Sequence, residues 1–233
     1  MLSQLVSNQK FYDMTQELDK WLEEVTEQCH EFAIEIDLDF YCFQSPLPTT
    51  NPETVIIGIN PGGYVRYSET LEKHSINKRP KNLLSQSINI YSVIHPCEDN
   101  KVMVGKLSRV FYNDFLQNTL EDATIFNMYY FNTKNVESLN LQLSNKIRQY
   151  CIEKSKELLE ILKPQHIIFL CTANSQLVNM GVTHIKGIGN YVKTGVLNGR
   201  KIIALPNPGF FKAYSYENGA KMGEHLQTYL MEK

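Results

Sequence analysis

The sequence predicts an α/β protein of three layers, α/β/α, built on a central four-stranded, mainly parallel sheet. Two observations point there. Four short runs are almost continuously apolar, as strands covered on both faces must be, and helical patterns lie between them. Strand alternating with helix implies parallel strands joined by right-handed crossovers. With 233 residues, 42% of them hydrophobic, the chain can bury such a core as one domain, residues 1–233, of which residues 1–50 form an N-terminal helical extension.

The extension opens with an amphipathic helix over residues 9–31, where Phe11, Met14, Leu18, Leu22 and Val25 recur at helical spacing between charged side chains. The turn-rich "SPLPTTNPE" (residues 45–53) connects it to the first buried strand, residues 54–59. The other three strands are "ATIFNMYYF" (123–131), "HIIFLC" (166–171) and "KIIALP" (201–206), with helices at about 106–118, 145–162 and 217–231. Within "VLNGRKII", Asn198-Gly199 is a two-residue hairpin signal, so an antiparallel ribbon from about Val192 feeds the last strand. Residues 63–106 show little periodicity, which marks a functional loop or lid.

A net charge of -2 gives no global basic field, which disfavours non-specific coating of nucleic acid and leaves any polyanion to a local patch. The five cysteines, Cys29, Cys42, Cys97, Cys151 and Cys171, contain no C-x-x-C pair for zinc or an iron–sulfur cluster and read as reduced thiols. The first residues lack a signal-peptide succession and no run approaches a membrane span, so the expectation is a soluble, cytoplasmic protein.

In open parallel sheets, ligands bind at the carboxyl ends of the strands. Asn-Pro-Gly stands there twice, at Asn60-Pro61-Gly62 and Asn207-Pro208-Gly209, and Asn127, or the residues just after it, is placed at such an end in the second strand. An amide followed by proline is fixed in orientation, and glycine lets a ligand approach the backbone. The amide oxygen can hold a water in line for attack, but it is no base at neutral pH, so the leaving group must depart largely unaided. The same tripeptide is also a common tight turn. In "LPNPGFFKAY" (205–214), Phe210, Phe211 and Lys212 suit a wedge for a base stack with a phosphate contact beside it, or else lock the last helix as core residues. His95-Pro96 reads as a loop histidine, and the cluster Lys78-Arg79-Pro80-Lys81 as a solvated one that could touch phosphates.

Taken in order, "GINPG" after the first strand, "FN" in the second, "LKPQHIIFLCTANS" through the third and "LPNPGFFKAY" after the last resemble the uracil-DNA glycosylase superfamily. The motifs are most similar to its mismatch-specific uracil/thymine and single-strand-selective branches. The resemblance spans roughly residues 54–230. It implies a glycosylase-like fold and a monofunctional DNA glycosylase that hydrolyses the N-glycosidic bond of an extruded uracil, mismatched or modified pyrimidine, in repair or in defence against modified foreign DNA.

By that resemblance Asn60 positions the attacking water, Asn127 bonds the polar edge of the base and Asn207 stabilises the departing base anion. Gly58, Ile59, Pro61 and Gly62 line the base site, and Tyr64 or Tyr67 stacks on the base. Gly209, Phe210, Phe211 and Lys212 meet the DNA, with Phe211 as the wedge. No metal or cofactor is implied, and the partner is single- or double-stranded DNA bound by a monomer. The sequence lacks the aspartate and histidine that the fastest branches carry at Asn60 and Asn207, which predicts slow action on uracil or another target base. The rival reading is a weak or inactive glycosylase-fold module that binds nucleic acid or a protein partner.

Overall fold

The computed structural model describes residues 2–78, 85–86, 88–95 and 101–232, with side chains from residue 14 onward apart from that of Phe211. In chain order the elements are α1 (Leu2–Ile36), β1 (Thr54–Gly58), α2 (Tyr67–His74), α3 (Lys101–Leu107), α4 (Asp114–Asp122), β2 (Thr124–Asn127) and α5 (Leu139–Gln142). They continue with α6 (Asn145–Leu162), β3 (His166–Phe169), α7 (Asn174–Asn179), β4 (Thr183–Ile188), β5 (Val192–Leu197), β6 (Arg200–Ala204) and α8 (Tyr216–Met231).

Among the described residues the sheet has six strands, in the order β2-β1-β3-β6-β5-β4, where four were expected. The four apolar runs supply the parallel part, β2-β1-β3-β6. The expected ribbon is the β5–β6 hairpin, whose turn residues Asn198 and Gly199 both take positive φ (49° and 77°), the backbone of a type I′ turn. The further strand is β4, paired antiparallel with β5 and largely exposed, so it carries no apolar run for a sequence reading to detect. The second strand is also shorter than expected: β2 stops at Asn127, and the chain runs on irregularly to an isolated bridge at Phe131.

Successive side chains of a strand point to opposite faces, and each face here has its own core. Val55 and Ile57 of β1, with Phe126, Ile167 and Phe169, pack with α1 and α6; Ile56, Ile125, Ile168 and Ile203 pack with α4 and α8. The sheet is therefore the middle of three layers. α1 is longer than residues 9–31, and its inner face (Leu18, Trp21, Leu22, Val25, Cys29, Phe32) belongs to the larger core, so the N-terminal segment is built into a layer. Trp21 Nε1 donates to the Lys154 carbonyl of α6 at 3.1 Å, and Lys154 pairs with Glu24 at 2.7 Å. An antiparallel bridge Phe43↔Phe126 covers the outer edge of β2, and Phe40↔Phe131 pairs the chain beyond it.

α6 has the bounds the sequence predicts: the Ser144 hydroxyl caps its start by accepting from Ile147 N–H, and Lys163 in the left-handed region ends it just before Pro164. The helix expected at 106–118 is two, α3 and α4, because Asn113 breaks the run and caps α4 through Leu116 N–H at 2.9 Å. The aperiodic residues 63–106 include α2 and all of α3 but its last residue. Cys29, Cys42, Cys151 and Cys171 are free, buried thiols; Cys97, Arg79, Pro80, Lys81 and Pro96 lie outside the described residues.

Candidate active site

Strand register lines up the carboxyl ends. Ile57 pairs with Phe169 and Phe169 with Ala204, so these three form one row across β1, β3 and β6. Asn60 and Asn207 each stand three residues beyond that row. One strand separates theirs, which sets the two chain segments about 10 Å apart, two inter-strand spacings of ~4.8 Å. On the other side of β1, Asn127 is in register with Gly58.

The Asn60 amide has a fixed orientation. Its Nδ2 donates to the Pro61 carbonyl and to Thr133 Oγ1, both at 2.9 Å. Thr133, wholly buried, spends its own proton on the Asn135 carbonyl at 3.0 Å, so towards Asn60 its oxygen acts as acceptor. Both amide protons of Asn60 are thereby used, and the half-buried side chain presents Oδ1. Next to it, Asn132 Nδ2 reaches the carbonyls of Gly62 and Gly63, each at 3.3 Å, and Tyr129 N–H donates to the Ile59 carbonyl at 2.9 Å.

Asn207 is turned the other way. Its Oδ1 accepts from Gly209 N–H at 2.7 Å, and its backbone carbonyl accepts from Phe210 N–H at 2.8 Å. The oxygen is committed to the loop and Nδ2 is what the side chain presents. Glycine at 209 is required by contact, since a Cβ there would lie 2.8 Å from that oxygen. Two further bonds brace the loop: Lys106 Nζ donates to the Pro208 carbonyl at 2.8 Å, and Tyr214 OH to the Pro206 carbonyl at 2.5 Å. Burial, and then the charge of Arg109, lowers the Lys106 pKa, while burial raises that of the Tyr214 phenol.

Asn127 is 1% exposed, and its Nδ2 is buried with no hydrogen-bond partner. Buried amides are nearly always paired, so this donor stands out at its strand end; closed off from solvent, it meets an outside acceptor only if its cover moves. Room for the amide comes from Gly58, where a Cβ would sit 2.5 Å from Asn127 Oδ1.

The other expected residues divide. Tyr64 is half exposed, on the loop after Gly63, and stays available for stacking. Tyr67 does not: it is 1% exposed, its ring packs against Phe40 and His30, and its hydroxyl meets His30 Nδ1 at 2.7 Å, so the expectation that it stacks on a base is corrected. Ile59 is likewise a core side chain, and Pro61 is buried, whereas Gly62 is exposed with open space beside it. Phe210 is 52% exposed, and Gly209 and Lys212 are exposed with it. The Phe211 side chain, expected as the wedge, lies outside the described side chains; its backbone begins a 3₁₀ turn, Phe211–Tyr214. His95 and Lys78 are exposed loop residues.

A groove of about 620 Å³ between α6 and α7 is lined by Tyr129, Arg148 and Gln176 among others, and none of the three asparagines lines it. Among the described residues no three His, Cys, Asp or Glu side chains group as a metal site, and no helix is long and apolar enough to cross a membrane. Thr133, Asn132 and Lys106 escaped the sequence reading. The polar "NTKN" directly after the apolar "YYF" was a signal for the first two; Lys106 offered none, its partner being 102 residues away.

No family model matches this chain, and a search of the curated proteins finds no significant match.

Proposed function

We propose that this chain is a monofunctional DNA glycosylase with a uracil-DNA glycosylase-like fold, hydrolysing the N-glycosidic bond of an extruded uracil, mismatched or modified pyrimidine. One observation carries the reading: two amides at the carboxyl ends of parallel strands are held in opposite senses, Asn60 offering its oxygen and Asn207 its nitrogen. Glycosidic cleavage asks for that pair. An acceptor aligns a water on the sugar carbon, and a donor meets the negative charge that grows on the departing base.

The division of labour follows from the chemistry of amides. Asn60 holds the water but does not take its proton, so bond breaking runs ahead of attack and the sugar becomes oxocarbenium-like. Asn207 Nδ2 lowers the energy of the base anion, and the orphan donor of Asn127 bonds a carbonyl on the base edge. Tyr64 is the stacking partner for the base, and Phe210 with Lys212 meets the DNA beside the gap. Preorganised amides and water suffice for this reaction, so the proposed enzyme needs no cofactor. Without an ionisable group at Asn60 or Asn207 it is slow on plain uracil.

The test incubates the protein with oligonucleotides carrying uracil, mismatched uracil or thymine, or modified cytosines, and detects alkali-labile abasic sites. Activity on one of these substrates, lost in Asn60→Ala, is expected. No abasic product from any of them would overturn the enzyme reading in favour of a binding module.

A further inference from the structure

Beside the loop that carries Phe210, the surface holds exposed aromatic rings that no step of the proposed chemistry uses. Tyr216, the first residue of α8, is 79% exposed, and the Arg109 guanidinium lies over its ring at 4.3 Å from the centroid. Arg109 is itself fixed by donating from Nη1 to the Tyr214 carbonyl. One face of the Tyr216 ring is thus held by a cation, which leaves the other open to solvent. Tyr112, 44% exposed, packs against α8 at Gly223, where a Cβ would meet its ring at 2.6 Å. The patch continues to the Phe210 loop through Asn218, whose Nδ2 donates to the Lys212 carbonyl at 3.4 Å.

The charges around these rings are mixed, with Glu224 exposed one turn beyond Lys221, and the cations lie nearest the Tyr216 ring and the Phe210 loop. Glu217 is matched by Lys221 at 2.7 Å, and Asp114 sits in the first turn of α4, where the helix dipole favours a negative charge. Arg109 and Lys212 remain as cations with no acidic partner among the described ion pairs. Aromatic faces bordered by cations are what an unpaired nucleic-acid strand uses, since every base has a face to stack and a phosphate beside it. A duplex offers no base faces along its side, so the occupant these rings select is single-stranded.

We propose that Tyr216, backed by Arg109, forms with Tyr112, packed two turns further along α8, a stacking platform for unpaired bases of single-stranded DNA running on from the extruded base. The proposal rests on the glycosylase reading for the identity of the strand and deepens it: the preferred substrate is single-stranded or locally opened DNA.

Fluorescence anisotropy of the full chain with a labelled 12-mer of thymidine, the same sequence as duplex and the matching RNA 12-mer tests it. Wild type should bind the single-stranded DNA more tightly than the duplex or the RNA. Tyr216→Ala should weaken single-strand binding about 5- to 150-fold, one stacked base's worth. Tyr216→Phe should restore it, and duplex binding should change less than about 2-fold. An unchanged melting temperature in Tyr216→Ala, as its exposure implies, shows that the loss is not unfolding. Equal single-strand binding by wild type and Tyr216→Ala, or a preference for duplex or RNA, would overturn the platform. The glycosylase reading would then stand or fall separately on the abasic-site assay with Asn60→Ala.

Discussion

Replacing Gly58 by alanine tests the pocket with one methyl group. The new Cβ would lie 2.5 Å from Asn127 Oδ1. To reach an ordinary contact the amide must retreat by about 1 Å, and being 1% exposed it has little space to do so. Overpacking of this kind costs ~1–3 kcal/mol, and removing a strand glycine returns ~0.5–1 kcal/mol through the unfolded chain. The net loss, from about 0 to about 2.5 kcal/mol, corresponds to a fall of up to about 10 °C in Tm for a chain of this size. Activity should suffer more than stability, because a 1 Å misplacement of a positioning group costs on the order of 100-fold in rate. Thermal unfolding and single-turnover release of abasic product measure the two effects. Full activity in a Gly58→Ala protein whose Tm has fallen would refute the assignment of Asn127 as the base reader. A Tm raised above that of the wild type would refute the clash.

Thr133→Val removes the oxygen that accepts from Asn60 Nδ2 and donates to the Asn135 carbonyl, at a cost of ~1–3 kcal/mol in stability. It should lower kcat of the proposed reaction about 10-fold or more as the amide becomes free to rotate, whereas Thr133→Ser should retain activity; wild-type kcat in the valine variant would contradict the orienting role. Tyr229→Phe probes the far side of the sheet, where the hydroxyl accepts from Ile167 N–H at 2.9 Å and donates to the Lys201 carbonyl at 3.0 Å. Leaving that buried N–H unpaired should cost about 1–3 kcal/mol by urea denaturation, with activity unchanged.

What the sequence made legible was whatever local pattern determines. The four parallel strands announce themselves because burial on both faces demands apolar runs, and α6 because its cap and its stop lie within the chain at Ser144 and Pro164. β4 could not be read, since the pairing with β5 stabilises it and its own exposed residues do not. The site divided along the same line. Asn60, Asn127 and Asn207 follow from their places at strand ends, and the Asn207 amide is oriented locally by Gly209, but which atom Asn60 presents depends on Thr133, 73 residues away. Tyr64 and Tyr67 are indistinguishable in sequence. They differ in the structure because the second begins α2 and meets His30, 37 residues earlier.

The Asn60–Thr133–Asn135 chain also bears on how, in the proposed glycosylase, an amide would serve where the faster branches of the superfamily it resembles carry an aspartate. Its hydrogen bonds run in one direction, each donor passing polarisation to the next acceptor. A carboxamide that gives away both of its protons shifts electron density from nitrogen to oxygen through its own resonance. Oδ1 of Asn60 thereby gains part of the character of a carboxylate oxygen while remaining uncharged across the physiological pH range, so activity that depends on it should show no acidic limb from this residue.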